Sequence, residues 1–236
     1  MTMMTQKPAS AAEKRAQLRA GLAGPKPVVT IGAHDAMSAR LVESYGFDAV
    51  WVSGFGVCTM TYALPDLNLI TMTEALDAAI RIDQATRLPV IADCDNGYGG
   101  LINVVRTVKA YEQAGIAAIC VEDNVFPKRN SLFQGQTKRE LIPVEEQARR
   151  IRAGKAAQAT EDFVFIARVE ALIAGHGVEA ACERADAYAE AGADAILIHS
   201  KDKSLQQIEG FLAAWSGLGR TPLVAVPTLF PDYTAG

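Results

Sequence analysis

The chain has no uninterrupted apolar stretch near the roughly 20 residues that a helix needs to cross a bilayer, so no membrane span is expected in it. It also has no cluster of Lys or Arg. Its 23 basic and 27 acidic residues are dispersed and the net charge is −4. A nucleic-acid surface concentrates positive charge on one face, so nucleic acid is not an expected partner. The first ten residues are polar and lack the apolar core of a secretory signal; they read as a disordered tail. Cysteine is sparse. Cys58, Cys94, Cys120 and Cys182 stand far apart, with no Cys-x-x-Cys or Cys/His zinc spacing. Free, buried thiols in a reducing cytoplasm are the expectation. A Gly-rich phosphate fingerprint is missing after the first apolar run, which ends in Gly32-Ala-His-Asp35.

Half of the 236 residues are hydrophobic, enough for one sizeable core and a better match to one α/β domain than to two small ones. Three segments repeat a unit: Tyr45-Gly-Phe-Asp-Ala-Val-Trp-Val-Ser-Gly54, Ala114-Gly-Ile-Ala-Ala-Ile-Cys-Val-Glu-Asp123 and Ala191-Gly-Ala-Asp-Ala-Ile-Leu-Ile-His-Ser200. Each opens with a glycine able to end a helix in the left-handed conformation. Each continues into a near-continuous apolar run, the pattern of a strand buried on both faces. Residues 27–31, 88–93, 163–169 and 222–226 fit the same role, and helical patterns lie between at 36–43, 71–84, 103–113, 144–158, 178–189 and 205–215. This alternation predicts a parallel α/β fold. Seven strands are visible where a closed (β/α)8 barrel needs eight; an open, doubly wound sheet is the alternative on pattern alone.

In a barrel the chemistry collects where strands end. Strand two ends in Ser53-Gly54-Phe55-Gly56, strand three in Asp93-Cys94-Asp95-Asn96, strand four in Glu122-Asp123 and strand six in His199-Ser200, while strand five carries Arg168 and Glu170. Asp93 and Asp95, two apart, fall on one side of an extended segment, and Glu122 comes from the neighbouring strand. Three such carboxylates repel one another unless a hard cation joins them, which points to Mg²⁺, with Mn²⁺ possible. Helix caps and salt bridges are the alternative use of the same residues. Arg168, inside an apolar strand, needs a partner: a ligand's carboxylate or phosphate, or Glu170. His199 at the rim suits a hydrogen bonder or a catalyst equally. Residues 124–140 form a long polar segment without periodicity and read as a lid loop. Residues 1–24 are an N-terminal tail and leading helix; 25–236 are the barrel domain.

At these residues the chain resembles the phosphoenolpyruvate mutase and phosphonopyruvate hydrolase group of the isocitrate lyase superfamily. The resemblance rests on Ala33-His34, Trp51-Val-Ser-Gly-Phe55, Pro65-Asp66, Asp93-Cys-Asp95, Gly97-Tyr-Gly99, Glu122-Asp123, Phe126-Pro-Lys-Arg-Asn-Ser-Leu132, Ala167-Arg-Val-Glu-Ala171, Ile173-Ala-Gly175 and Ala191 to Ser200. It runs in order from about residue 28, and the lid sequence is its most specific part. It implies the (β/α)8 barrel, in which an eighth strand and C-terminal helices normally follow; neither is evident in this sequence.

The resemblance further implies a small α-keto acid substrate and one Mg²⁺, with Asp93 as ligand and Asp95 and Glu122 holding metal-bound waters. Backbone groups around Ser53, Gly54 and Phe55 would take the substrate carboxylate. Arg168 and His199 would contact a migrating phosphoryl group, Lys128, Asn130, Ser131 and Leu132 would close over it, and Asp66 would lie near the reacting carbon. The expected activity is isomerisation between phosphoenolpyruvate and phosphonopyruvate, the step that forms the C–P bond in phosphonate biosynthesis. Asn130 favours the mutase over the hydrolase, whereas Phe55 is closer to the hydrolase. Lyases of the superfamily that cleave isocitrate-like acids carry a lid cysteine, absent from Lys128-Arg-Asn-Ser131; lyases of substituted malates remain open. Asn124 and Asn96 depart from the usual Lys and Thr. A cytoplasmic homotetramer, built as a dimer of dimers, is implied by the same likeness.

Overall fold

The computed structural model describes residues 8–129, 139–217 and 219–230. Seven short strands form one sheet whose spatial order is the chain order, and the chain divides into two compact units. The first holds the described residues up to Cys94 with Thr107–Ile119 and Gln158–Val164; the second holds Asp95–Arg106, Cys120–Ala157 and the described residues from Phe165 on.

In the first unit, Ser10 opens α1 (Ala11–Ala23) with a capping box: its hydroxyl accepts from Glu13 N, and the Glu13 carboxylate accepts from Ser10 N. Polar contacts fasten this helix. Lys14 Nζ lies 2.7 Å from Asp83 Oδ1, Arg15 Nη2 donates to the Glu112 carbonyl at 2.5 Å, and Arg19 Nη2 donates to that of Glu161 at 2.6 Å. Strands β1 (Thr30–Ala33), β2 (Ala49–Val52) and β3 (Val90–Asp93) are parallel, Thr30 facing Ala49 and Val50 facing Val90. Val50, Val52, Val90 and Ala92 are buried, which explains the unbroken apolar runs. Asp35 caps α2 (Ala36–Ser44) and Thr71 caps α4 (Met72–Ala85), each through its side chain; the two helices pack together.

The segment after β2 differs from expectation. Gly54, Phe55 and Gly56, read as the end of strand two, open α3 (Gly54–Tyr62). Its sequence, Gly-Phe-Gly-Val-Cys-Thr-Met-Thr-Tyr, combines two glycines with three β-branched residues and has no helical apolar stripe, so local propensity argues against a helix. Ser53 supplies the missing start signal, its Oγ accepting from Gly56 N at 3.0 Å.

Helix α5 (Leu101–Gln113) and the fully buried β4 (Ala118–Glu122) follow. In the second unit come α6 (Val144–Ala157), β5 (Val164–Val169), the single turn α7 (Ala171–Ala174), α8 (Gly177–Glu190), β6 (Ala195–Ile198), α9 (Gln206–Ala214) and β7 (Leu223–Ala225). Strands β5, β6 and β7 are parallel, Ile166 facing Ala195 and Ile196 facing Leu223. Among the described residues there is no eighth strand, and no helix is long and apolar enough to cross a membrane. The segment expected to lack regular structure is paired at its base: Asn124 bridges Leu141 antiparallel, and Val125 N donates to the Glu140 carbonyl at 3.2 Å. Asn130, Ser131 and Leu132 lie outside the described residues.

Candidate active site

In the first unit, the end of β2 delivers the chain to the N-terminus of α3. Ser53 N donates to the Ala33 carbonyl at 2.9 Å, so the α3 start is fixed to the end of β1. Space is tight here: a Cβ on Gly56 would lie 2.9 Å from His34 Cβ. The opening N–H groups of a helix have no intrahelical acceptor and carry the positive end of its dipole, so the start of α3 at Gly54 and Phe55 is a position with the chemistry to receive an anion. The Phe55 side chain is exposed, whereas Asp66 is buried, its Oδ1 4.0 Å from Cys58 Sγ. Asp93 ends β3 half-buried.

The second unit brings together more of the expected residues. Asp95 and Lys128, both buried, form an ion pair. Asp95 follows the strand end in a left-handed conformation, φ 50°. The expectation that Asp93 and Asp95 share one side of an extended segment is therefore corrected: the backbone turns at Cys94 to Gly97. Gly97, at φ 80°, has no room for a Cβ, which would meet Val104 at 2.5 Å. Glu122 N donates to the Asp95 carbonyl at 2.8 Å, coupling the ends of the two acidic motifs. The buried Glu122 carboxylate accepts from Asn124 Nδ2 at 3.0 Å and faces Arg168 Nε at 3.5 Å. Arg168 Nε also donates to Glu170 Oε1 at 2.5 Å, and its Nη2 lies 3.4 Å from His199 Nδ1. The structural partner foreseen for Arg168, Glu170, is thus in place, while its guanidinium also reaches the His199 ring.

Burial, reinforced by the charges of Arg168 and Arg139, holds the His199 pKa down at about 3. The imidazole is neutral at physiological pH. Because an arginine donor faces Nδ1, that nitrogen is the acceptor and Nε2 carries the proton. His199 Nε2 is buried and has no hydrogen-bond partner among the described residues. Arg139 is a component that sequence reading missed. It is buried, donates through Nη1 to the Arg129 carbonyl at 3.1 Å, and interacts electrostatically with Glu122, Arg168 and Glu170. Its place inside an aperiodic polar segment gave no signal.

Asp123, the second residue of the Glu-Asp motif, was also missed as a site component. It is fully buried. Oδ1 accepts from the backbone N–H of Glu170 at 2.9 Å; Oδ2 accepts from Arg184 Nη1 at 2.9 Å and from Tyr188 Oη at 2.8 Å. Burial pushes its pKa up, opposed by Arg184. Arg184 and Tyr188 lie four apart on one face of α8.

Among the described residues no group of three or more His, Cys, Asp or Glu side chains is gathered as a metal centre. The donor chemistry nevertheless fits a hard divalent ion: Asp95 and Glu122 present buried carboxylates, and the charge on Asp95 is met by the compact ammonium of Lys128. A divalent cation held at Asp95 would take over that role.

Residues 18–235 match the family model described as Phosphoenolpyruvate phosphomutase. The chain is 44% identical over 221 residues to a phosphonopyruvate hydrolase of Variovorax sp. (strain Pal2), covering 94% of this chain and 75% of that protein. The solved structure of a phosphoenolpyruvate phosphomutase from Streptomyces platensis subsp. rosaceus superposes with a TM-score of 0.89 at 46% identity, covering 93% of this chain and 75% of that one. A phosphonopyruvate hydrolase solved in complex with oxalate and Mg²⁺ superposes with a TM-score of 0.86 at 43% identity, covering 94% and 74%.

Proposed function

Because the chain belongs to the phosphoenolpyruvate phosphomutase family of enzymes, with the α/β fold of the TIM-type barrels in that superfamily, we propose that it is a Mg²⁺-dependent phosphoenolpyruvate mutase. The observation that carries this reading is the pairing of Arg168 with a neutral His199 whose Nε2–H donor is buried without a partner among the described residues. A fixed guanidinium beside an unspent donor suits the oxygens of a phosphoryl group, whose loose transfer asks mainly for positioning and charge stabilisation.

In this reading Gly54 and Phe55 N–H groups at the start of α3 bind the substrate carboxylate, as helix N-termini bind anions. Arg168 and His199 hold the phosphoryl oxygens, and His199 stays neutral and donates throughout. Lys128 would turn from Asp95 to the substrate in the metal-loaded protein, and with Asn130, Ser131 and Leu132 it would keep water from the phosphoryl group. Asp66 lies near the reacting carbon. Asp93, Asp95 and Glu122 would hold Mg²⁺, which would supply positive charge to the substrate's oxygens. A cytoplasmic homotetramer accompanies this reading by likeness to the family.

Asn130 favours the mutase. Phe55 and the similarity to the Variovorax protein favour phosphonopyruvate hydrolase as the second reading. Coupled assays on phosphonopyruvate separate them. Pyruvate kinase with ADP detects phosphoenolpyruvate, and lactate dehydrogenase alone detects pyruvate. Signal that requires pyruvate kinase supports the mutase; signal from lactate dehydrogenase alone contradicts it. Silence in both, with cleavage of a substituted malate, would assign a lyase.

A further inference from the structure

Asp123 is one residue beyond Glu122, yet its carboxylate faces away from the expected chemistry and is spent on three protein donors: Glu170 N, Arg184 Nη1 and Tyr188 Oη. Two of these, on α8, make a buried polar knot, with Arg184 Nη1 also donating to the Ile142 carbonyl at 3.1 Å. The third differs in kind. Glu170 is fully buried, directly follows β5 and holds Arg168 Nε through Oε1 at 2.5 Å. Arg168 in turn reaches the His199 ring. Beside the longer Glu122–Arg168 ion pair at 3.5 Å, the Asp123 Oδ1 bond to Glu170 N at 2.9 Å therefore ties the strand-four motif to the Arg168–His199 pair.

We propose that Asp123 is a positioning residue for substrate binding: by anchoring the Glu170 backbone it sets where Arg168 and His199 present their donors. The role in binding rests on the proposed function; the anchoring itself does not. Acceptor bookkeeping separates positioning from mere structural support. The carboxylate has two oxygens for three donors, whereas an asparagine has one oxygen and adds donors of its own. In Asp123→Asn the oxygen goes to the charged Arg184, the stronger partner. The amide NH₂ then faces Glu170 N–H, and the anchor is lost. In Tyr188→Phe the knot loses one donor, but the Glu170 anchor remains. In the double variant Asp123→Asn/Arg184→Met the amide oxygen is no longer drawn to a cation and can return to Glu170 N.

The test reads two quantities on the full chain. One is the ring NMR signals of His199 at neutral pH in the substrate-free protein, tractable because the chain has three histidines. The other is kcat and KM for phosphonopyruvate with Mg²⁺. For Asp123→Asn we expect shifted His199 signals and a loss in kcat/KM on the order of 10- to 100-fold, the range for residues that orient a working group through a hydrogen bond. Tyr188→Phe should lower thermal stability while leaving both readouts near wild type. The double variant should restore both, and it carries no unpaired buried charge should Asp123→Asn alone fail to fold. Wild-type His199 signals in Asp123→Asn, equal shifts in Tyr188→Phe, or shifted signals in the double variant would each overturn the proposal. If the wild-type protein does not act on phosphonopyruvate, the proposed function fails, while the His199 signals still decide the anchoring.

Discussion

Replacing Lys128 by methionine keeps an apolar stem of similar length but removes the ammonium from a pair whose side chains are 5% and 6% exposed. The Asp95 carboxylate is then left buried without that cation. Removing one partner of a buried ion pair costs about 3–5 kcal/mol, most of it the penalty of the stranded charge. In metal-free buffer with chelator, Lys128→Met should therefore lose about 3 kcal/mol of unfolding free energy, the low end of that range because polar neighbours remain. Mg²⁺ should recover part of the deficit. In the wild type a cation at Asp95 would displace Lys128, while in the variant it would meet a carboxylate from which that ammonium is gone. A tenfold tighter Kd adds about 1.4 kcal/mol to the stabilisation at saturating metal. Urea denaturation of both proteins, with chelator and across a MgCl₂ titration, reads this directly. The variant should gain more from Mg²⁺ than the wild type, while its turnover falls because Lys128 is absent from the substrate. Equal Mg²⁺ gains would show that Lys128 and the cation do not compete for Asp95.

Other expectations follow from single groups. His199 has a folded-state pKa of about 3 against an ordinary value of 6.5. Between these values the unfolded chain takes up a proton that the folded one refuses, so stability falls as pH drops through that window. The slope from this residue reaches about 1.4 kcal/mol per pH unit, and His199→Asn should flatten it in denaturation curves at pH values spanning the window; an unchanged slope would rule His199 out as the cause. Buried Glu112 accepts from Ala159 N at 2.7 Å and from Thr160 N and Oγ1 at 2.8 Å each; Glu112→Gln should cost about 1.5–3 kcal/mol in thermal or urea unfolding while leaving KM unchanged. Asn130→Ala should lower mutase turnover sharply without altering the unfolding midpoint; near-normal turnover would remove Asn130 from the mechanism.

Much of the fold was legible because parallel strands buried on both faces write themselves as apolar runs, and the residues around them obey local rules. The runs ending at Asp93, Glu122 and Ile198 are β3, β4 and β6, whereas Ser10, read as part of a disordered tail, caps α1. Helix α3 was not legible, since its glycines and β-branched residues are outweighed by a cap and by packing. Nor was the turn at Asp95, where a left-handed residue defeats the two-residue period of a strand. Arg168 was visible as a misfit in an apolar strand. Its partners were only partly so: Glu170 is a near neighbour, but His199 is 31 positions away. Asp123 and Arg139 were hidden for the same reason, because their bonds join residues remote in sequence and no period reports them. The family motifs supplied residue roles that spacing alone left open.

The most direct test is phosphorus NMR of the purified protein with Mg²⁺ and phosphonopyruvate in ¹⁸O-enriched water. A mutase converts the phosphonate signal into that of phosphoenolpyruvate, with no solvent oxygen in the three non-bridging phosphoryl positions, and this is the outcome expected here. Inorganic phosphate carrying solvent ¹⁸O, with pyruvate beside it, would contradict it and make the protein a hydrolase.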